Sequence, residues 1–199
     1  MPQVRGGIGI INPRTERPGT AGIIARRQNS LYILSCYHVL CRLDGEPFAV
    51  GEPIFLADDL LQESPVAQTE LGIPDLDIAA ARIMPGVENF TGVTGFPALG
   101  TVREPEEGML VVKVGHATGR TEGIITRVED DQVWIEPPDE LLEAPISQGG
   151  DSGAIWIYED DLSPVVLHSG TNDLGPIAFA RGISLQRVLQ SLGLELPGG

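Results

Sequence analysis

The sequence predicts an all-β protein of many short strands followed by one C-terminal helix. Three observations predict it. Short apolar runs recur between turn signals along most of the chain. Gly (25) and Pro (16) are abundant for 199 residues, and both are costly inside helices and strand centres. Helical spacing shows only near the end, where Leu185, Val188, Leu189 and Leu192 share a face. Strands in series with one terminal helix fit a barrel or a sandwich.

Taken in order, residues 7–11 read as a first strand, stopped at the Asn12-Pro13 turn. Residues 21–26 and 31–35 read as the next two. Asp44-Gly45 marks a turn before a strand at 53–57, and 78–83 is a short apolar run ended by Pro85. Together these make one small barrel. Residues 84–105 are rich in Gly, Pro and Thr with little periodicity, so they read as a connection, longer than most loops in compact domains. A second series follows at 109–115, 124–129, 132–136, 154–158 and 165–169, with Thr118-Gly119-Arg120-Thr121-Glu122-Gly123 between the first two. Pro105, Pro137, Pro138 and Pro164 separate some of these runs. Residues 185–194 form the amphipathic helix.

Bulk properties narrow the function. Hydrophobic residues make up 42%, enough for a core. The net charge of -15 repels phosphate backbones and anionic lipid, which argues against nucleic-acid or membrane-surface partners. Cys36 and Cys41 are too few for a secreted disulfide scaffold and read as free thiols. The opening MPQVRGGIGI has no signal-peptide pattern, and no stretch is apolar enough to span a bilayer. The expectation is a cytoplasmic protein.

Three segments carry chemistry. Residues 32–40 form an apolar strand ending in His38. Residues 75–81 place Asp75 and Asp77 before an apolar strand. Residues 148–154 hold Ser152 in the glycine-rich turn Gly149-Gly150-Asp151-Ser152-Gly153. Each alone has a plain reading: a structural histidine, a surface acid, a tight turn. Together they supply what a weak hydroxyl nucleophile needs near pH 7, a base beside it and an acid to orient that base.

These segments resemble the histidine, Asp-aliphatic-Ala and Gly-Asp-Ser-Gly blocks of chymotrypsin-like serine peptidases, in that family's order. Residues 113–123 resemble a strand-turn of the second barrel in bacterial members, and 166–170 the strand that lines the substrate cleft. The resemblance spans roughly residues 19–194. The sequence is similar to prokaryotic intracellular-type members, including those like the Narrow Leaf protease, and to glutamyl endopeptidases. It implies two six-stranded antiparallel β-barrels with a C-terminal helix in a single domain, 1–199. Barrel one would cover about 6–90, the connection about 84–107, barrel two about 108–184 and the helix about 185–195. It implies a serine endopeptidase acting on protein or peptide substrates, with no cofactor and no metal. Ser152 would attack the scissile carbonyl, His38 would shuttle the proton, and Asp77 would orient His38, with Asp75 the competing candidate. The N–H groups of Gly150 and Ser152 would form the oxyanion hole.

By the same resemblance, Ile146, Ser147, His168, Ser169, Gly170, Thr171 and Gly182 would line the pocket for the residue before the cut. No acid stands at its base, where Ile146 sits, so a buried Lys or Arg would lack a partner. Two preferences stay open: small or medium apolar side chains, or acidic ones held by His168 and Ser147. There are departures. Val39 stands where secreted members place a bridged cysteine. No activation sequence is evident beyond a loose echo at Arg5-Gly6-Gly7-Ile8, so the partner of Asp151 stays open. Other classes also stay open. A catalytically silent barrel could serve as a binding scaffold. An α/β-hydrolase would want a glycine where Ala154 stands and a histidine last in order. Metal catalysis finds no ligand cluster among His38, His116 and His168, and His116 reads as structural or exposed. A regulatory protein partner suits a cytoplasmic protease, but no residue points to one.

Overall fold

Antiparallel pairing between distant segments builds the chain into two β units with a helix at their junction. The computed structural model describes residues 3–41, 49–59, 61–139, 145–172 and 179–197; the expected Asp44-Gly45 turn lies outside them. The first half holds β1 (Gln3–Gly6), β2 (Gly9–Ile11), β3 (Gly19–Thr20), β4 (Ile24–Arg27), β5 (Ser30–Cys36), α1 (Tyr37–Leu40), β6 (Pro53–Leu56), β7 (Ala67–Ile73) and β8 (Ile78–Ile83). Its seven-stranded sheet runs β3-β2-β6-β7-β8-β5-β4. The ends of this sheet, β3 and β4, are two parts of one bent strand. The link between them is hydrogen-bonded on both sides: Ala21 N–H to Ile8 at 2.9 Å, Gly22 N–H to Leu34 at 2.8 Å. The sheet therefore curls back on itself, as a six-stranded barrel with one broken strand would.

The second half holds β9 (Glu88–Val93), β10 (Leu110–Gly115), β11 (Gly119–Glu129), β12 (Gln132–Glu136), β13 (Ile155–Tyr158), β14 (Pro164–Asn172), β15 (Phe179–Ser184) and α2 (Leu185–Leu192). Six of these strands close a barrel in the order β10-β11-β12-β15-β14-β13. Two barrels and a terminal helix are what the sequence led one to expect. Helix α2 is capped by Ser184, whose hydroxyl accepts from Arg187 N–H, and ends at Gly193 in the left-handed region.

Several elements differ from the sequence reading. The connection contains β9, which pairs in parallel with β1; its mostly exposed residues carry no apolar period, so only the partner strand reveals it. Strands β7 and β15 were not expected. Polar Gln68, Thr69 and Glu70 dilute one, and Arg181 and Gly182 interrupt the other. Residues 119–123, which carry no apolar run, are strand, because Gly119 to Ile124 pair back along β10 and leave only 116–118 to turn.

Apolar side chains collect in three groups. Ile10, Ile24, Ile33 and Ile54 fill the first barrel, and Val111, Ile125, Ile135 and Trp156 fill the second. Leu34, Ala80, Val112, Ile155, Leu167, Leu185 and Val188 pack between the barrels and under α2. Each buried Val, Leu or Ile among them contributes about 1.5–3 kcal/mol by leaving water. This middle group presses the barrels together and creates the seam where the candidate residues meet.

Candidate active site

Strands β5 and β8 pair antiparallel with Cys36 opposite Ile78, which brings the chain just after β5 beside the chain just before β8. The apolar run predicts a strand ending in His38; in the structure β5 stops at Cys36 and His38 sits in the single turn α1. That turn is pinned by Tyr37 N–H donating to the Asp77 carbonyl at 3.0 Å. Asp77 follows a 3-10 turn at Pro74–Leu76 and adopts φ +54°, a left-handed conformation that aspartate tolerates better than most residues. Its carboxylate lies 2.8 and 3.0 Å from His38 Nδ1 and also accepts the His38 backbone N–H at 3.0 Å. Two contacts hold the ring at Nδ1 and one holds its backbone. The competing Asp75 is exposed, within the 3-10 turn.

Ser152 lies across the seam. His38, Gly149, Gly150 and Ser152 share one open cleft of about 870 Å³, lined also by Arg14–Pro18, Val39 and Cys41. The Ser152 hydroxyl donates a long bond of 3.4 Å to the Ser169 carbonyl; no bond from it to His38 is made in this conformation among the described residues. Gly150 has φ +110°, a conformation open to glycine and strained for residues with a Cβ. Neither the Gly150 nor the Ser152 N–H meets an acceptor among the described residues, so both donors are available.

Between these two residues, Asp151 is completely buried and forms the hub of the turn. Its carboxylate accepts from Lys113 Nζ at 2.9 Å, the Thr118 hydroxyl at 2.6 Å, and the backbone N–H groups of Ala117, Thr118 and Gln148 at 2.9–3.1 Å. Burial alone would raise its pKa. The Lys113 charge and the Thr118 hydroxyl outweigh burial and hold the carboxyl well below its usual range. Burial in turn pulls Lys113 down, against the opposing pull of Asp151.

The residues expected to line a pocket divide in two. Ser169, Gly170 and Thr171 are half-buried, while Ile146, Ser147 and His168 are buried and Gly182 packs its Cα face on the Leu167 carbonyl. His168 Nε2 lies 2.6 Å from the Ser147 hydroxyl, its Nδ1 has no partner among the described residues, and Trp156 meets the ring edge-on at 6.1 Å. Burial, then the nearby Lys113 charge, pushes the His168 pKa down to about 3. The folded value lies below the ordinary 6.5, so the unfolded chain binds more protons in between. Stability is therefore full above pH 6.5 and falls as the pH drops toward 3. Urea titrations at pH 7.5, 6 and 4.5 are expected to show this decline, and His168→Asn to flatten it. A His168 resonance titrating near 6.5 in the folded protein contradicts it.

Both cysteines are free thiols. Cys36 Sγ comes within 4.8 Å of ligand atoms of His38 and Asp77. It is buried, donates to the His168 carbonyl at 3.1 Å, and burial followed by the Asp77 charge pushes its pKa well up. It is held as a protonated thiol, a poor start for a metal ligand. Burial, with Glu52 and Asp77, pushes Cys41 up to about 12.

No protein-family model and no curated protein sequence matches the chain. Solved structures do. A glutamic acid specific serine protease that uses a histidine triad in substrate binding superposes with a TM-score of 0.75 at 17% identity, over 98% of this chain and 100% of that one. Protease A of Thermobifida fusca gives 0.74 at 17%, over 99% and 100%. The chymotrypsin of Cellulomonas bogoriensis gives 0.71 at 16%, over 99% and 100%.

The chain has the chymotrypsin fold.

Within the chymotrypsin fold, His38, Asp77 and Ser152 fall at the seam of the two barrels. Sequence reasoning did not pick out Lys113 and Thr118 as partners of Asp151. A signal was there: Lys113 is the only lysine in the chain and stands in the apolar run Leu110-Val111-Val112-Lys113-Val114. An isolated cation in a buried strand asks for a buried anion. Among the described residues, no helix is long and apolar enough to cross a membrane.

Proposed function

We propose that the chain is a serine endopeptidase working through His38, Asp77 and Ser152, with the N–H groups of Gly150 and Ser152 as the oxyanion hole. The observation that carries this reading is the ring of His38, fixed by Asp77 at Nδ1 with 2.8 Å contact and opening on the cleft it shares with Ser152 and Gly150. With its proton on Nδ1, His38 offers the Nε2 lone pair to the hydroxyl. Ser152 rotates away from its weak bond to Ser169 as substrate arrives, which suits catalytic contacts that tighten only in the complex.

The steps follow. Ser152 Oγ forms a bond to the scissile carbonyl carbon while His38 Nε2 takes its proton. The carbonyl oxygen becomes an anion that the two free N–H groups receive. Asp77 stabilises the imidazolium so formed. His38 then returns the proton to the leaving amine as the C–N bond breaks. A water repeats the sequence on the acyl-enzyme and releases the acid. Asp151 takes no proton in this scheme; pinned by Lys113 and Thr118, it holds the turn that carries both donors.

Before the cut bond, the reading favours an uncharged side chain. His168 stays neutral and is capped by Ser147, and the Asp151 carboxylate stands 3.3 Å behind that hydroxyl. One solved relative in fold is glutamic acid specific and uses a histidine triad. Here His116 is exposed against Gly9 and His38 belongs to Asp77, so His168 has no histidine behind it among the described residues. Among the described residues expected to line the pocket, none offers Lys or Arg an anion to meet.

A fluorophosphonate probe should form one adduct, on Ser152, and block hydrolysis of a mixed peptide set. An adduct elsewhere, or none on a well-folded sample, overturns the reading. On peptides differing only before the cut, Ala or Leu should exceed Glu by at least about tenfold, the scale of one misfitted group, and exceed Lys by more; fastest cleavage after Glu overturns the preference.

A further inference from the structure

Thr20 lies in the first barrel, at the end of the two-residue strand β3, far in sequence from the nucleophile turn. It is fully buried, and every polar group it owns is used. Its N–H donates to the Ser152 carbonyl at 2.8 Å. Its carbonyl accepts from the Ser35 hydroxyl at 2.8 Å. Its side-chain hydroxyl donates to the Gly150 carbonyl at 2.8 Å and accepts the His116 N–H at 2.9 Å. Because that lone N–H enters the hydroxyl oxygen, the single hydroxyl proton is committed to Gly150. Thr20 thus grips the carbonyls of residues 150 and 152, the same two residues whose N–H groups face the cleft.

We propose that the Thr20 hydroxyl is a positioning device for the oxyanion-binding turn, an inference that rests on the peptidase reading above. Gly150 is the weak point of the turn. At φ +110° it has no side chain to lock it, and the adjoining Gly149 touches nothing that would hold a Cβ. The Gly150–Asp151 peptide is fixed at one end by Asp151 N–H donating to Gln148 at 3.0 Å. Thr20 fixes the other end, and no other hydrogen bond reaches the Gly150 carbonyl among the described residues. With that end released, Gly150 gains freedom at both of its backbone torsions, and the Gly149–Gly150 peptide, which carries the Gly150 N–H, turns away from the oxyanion. The hydroxyl also bonds the 116–118 loop, whose N–H groups hold Asp151, so it joins the first barrel to both supports of the turn.

The test is Thr20→Val, which keeps the shape and removes the hydroxyl, beside Thr20→Ser, which keeps it. Thr20→Val should lower kcat roughly 10–100-fold, short of the roughly 100–1000-fold seen when an oxyanion donor is deleted outright. KM should stay within about twofold, since the contact matters for the transition state. Affinity for a peptide aldehyde, which forms the oxyanion, should fall in parallel. Thr20→Ser should stay within about threefold of wild type. A structural role alone lowers Tm and leaves kcat of the folded protein intact, so each variant is assayed well below its own Tm. If Thr20→Val does not fold, Thr20→Ala, which also lacks the hydroxyl without adding bulk, takes its place. Wild-type kcat in a variant without the hydroxyl overturns the inference, as does an equal loss in Thr20→Ser. A wild type without Ser152-dependent hydrolysis overturns the peptidase reading itself, and this inference with it.

Discussion

Replacing Ser152 by alanine is expected to lower kcat by about 10⁵–10⁶ while the fold survives, the scale on which a triad nucleophile acts. The side chain gives up only a 3.4 Å bond to Ser169, so Tm should move little. Asp77→Asn should cost about 10⁴, because an amide leaves His38 in the wrong tautomer. Combining Ser152→Ala with His38→Ala should cost little more than either alone, since the pair acts as a unit. Steady-state hydrolysis on active-site-verified protein, with near-ultraviolet circular dichroism as the folding control, checks all three. Residual activity within tenfold of wild type in Ser152→Ala would show that another group is the nucleophile.

Lys113→Met is expected to destabilise the fold by about 3–5 kcal/mol, because it leaves Asp151 as a buried charge without a partner. Lys113 and Asp151 are both fully buried at 2.9 Å, so the usual discount for a surface pair does not apply. Activity should fall with stability, since the turn from Ser147 to Ser152 hangs on that carboxylate. Urea denaturation measures the first and peptide hydrolysis the second. The double variant Lys113→Met/Asp151→Asn should recover part of the loss by removing the stranded charge. The pair also sets an acid limit. The folded pKa of Asp151 lies below its ordinary 3.8, so the stability it adds is present above that value and is lost as the pH falls beneath it. Because Lys113 is the only lysine, an amine-reactive reagent gains a side-chain target only when the pair opens. Labelling of Lys113 in the native protein as fast as in urea would contradict a buried pair.

Much of the candidate site was legible because its parts are local. The apolar run into His38, the acid before 78–83 and the glycine-rich turn around Ser152 each announce themselves within a few residues. The partner of Asp151 was less legible, since Lys113 lies 38 positions away and reads locally as one polar residue in a strand. Thr20 was harder still. It lies 130 positions from Gly150, and threonine in a strand is ordinary. The His168 and Ser147 pair was visible as residue types, but whether it faces a substrate or closes on itself depends on burial that no spacing conveys.

The sequence by itself determined the all-β class, the terminal helix, and elements such as 78–83 and 132–136 that match β8 and β12. Local periodicity and turn chemistry act over a few residues, and they suffice there. Only the tertiary structure decided that Asp77 rather than Asp75 holds His38, that β9 finds β1, and that Lys113 and Thr20 brace the turn around Ser152. Those outcomes depend on strand register and on burial between barrels. Both are settled when distant segments exclude water together, and neither is written in any one segment.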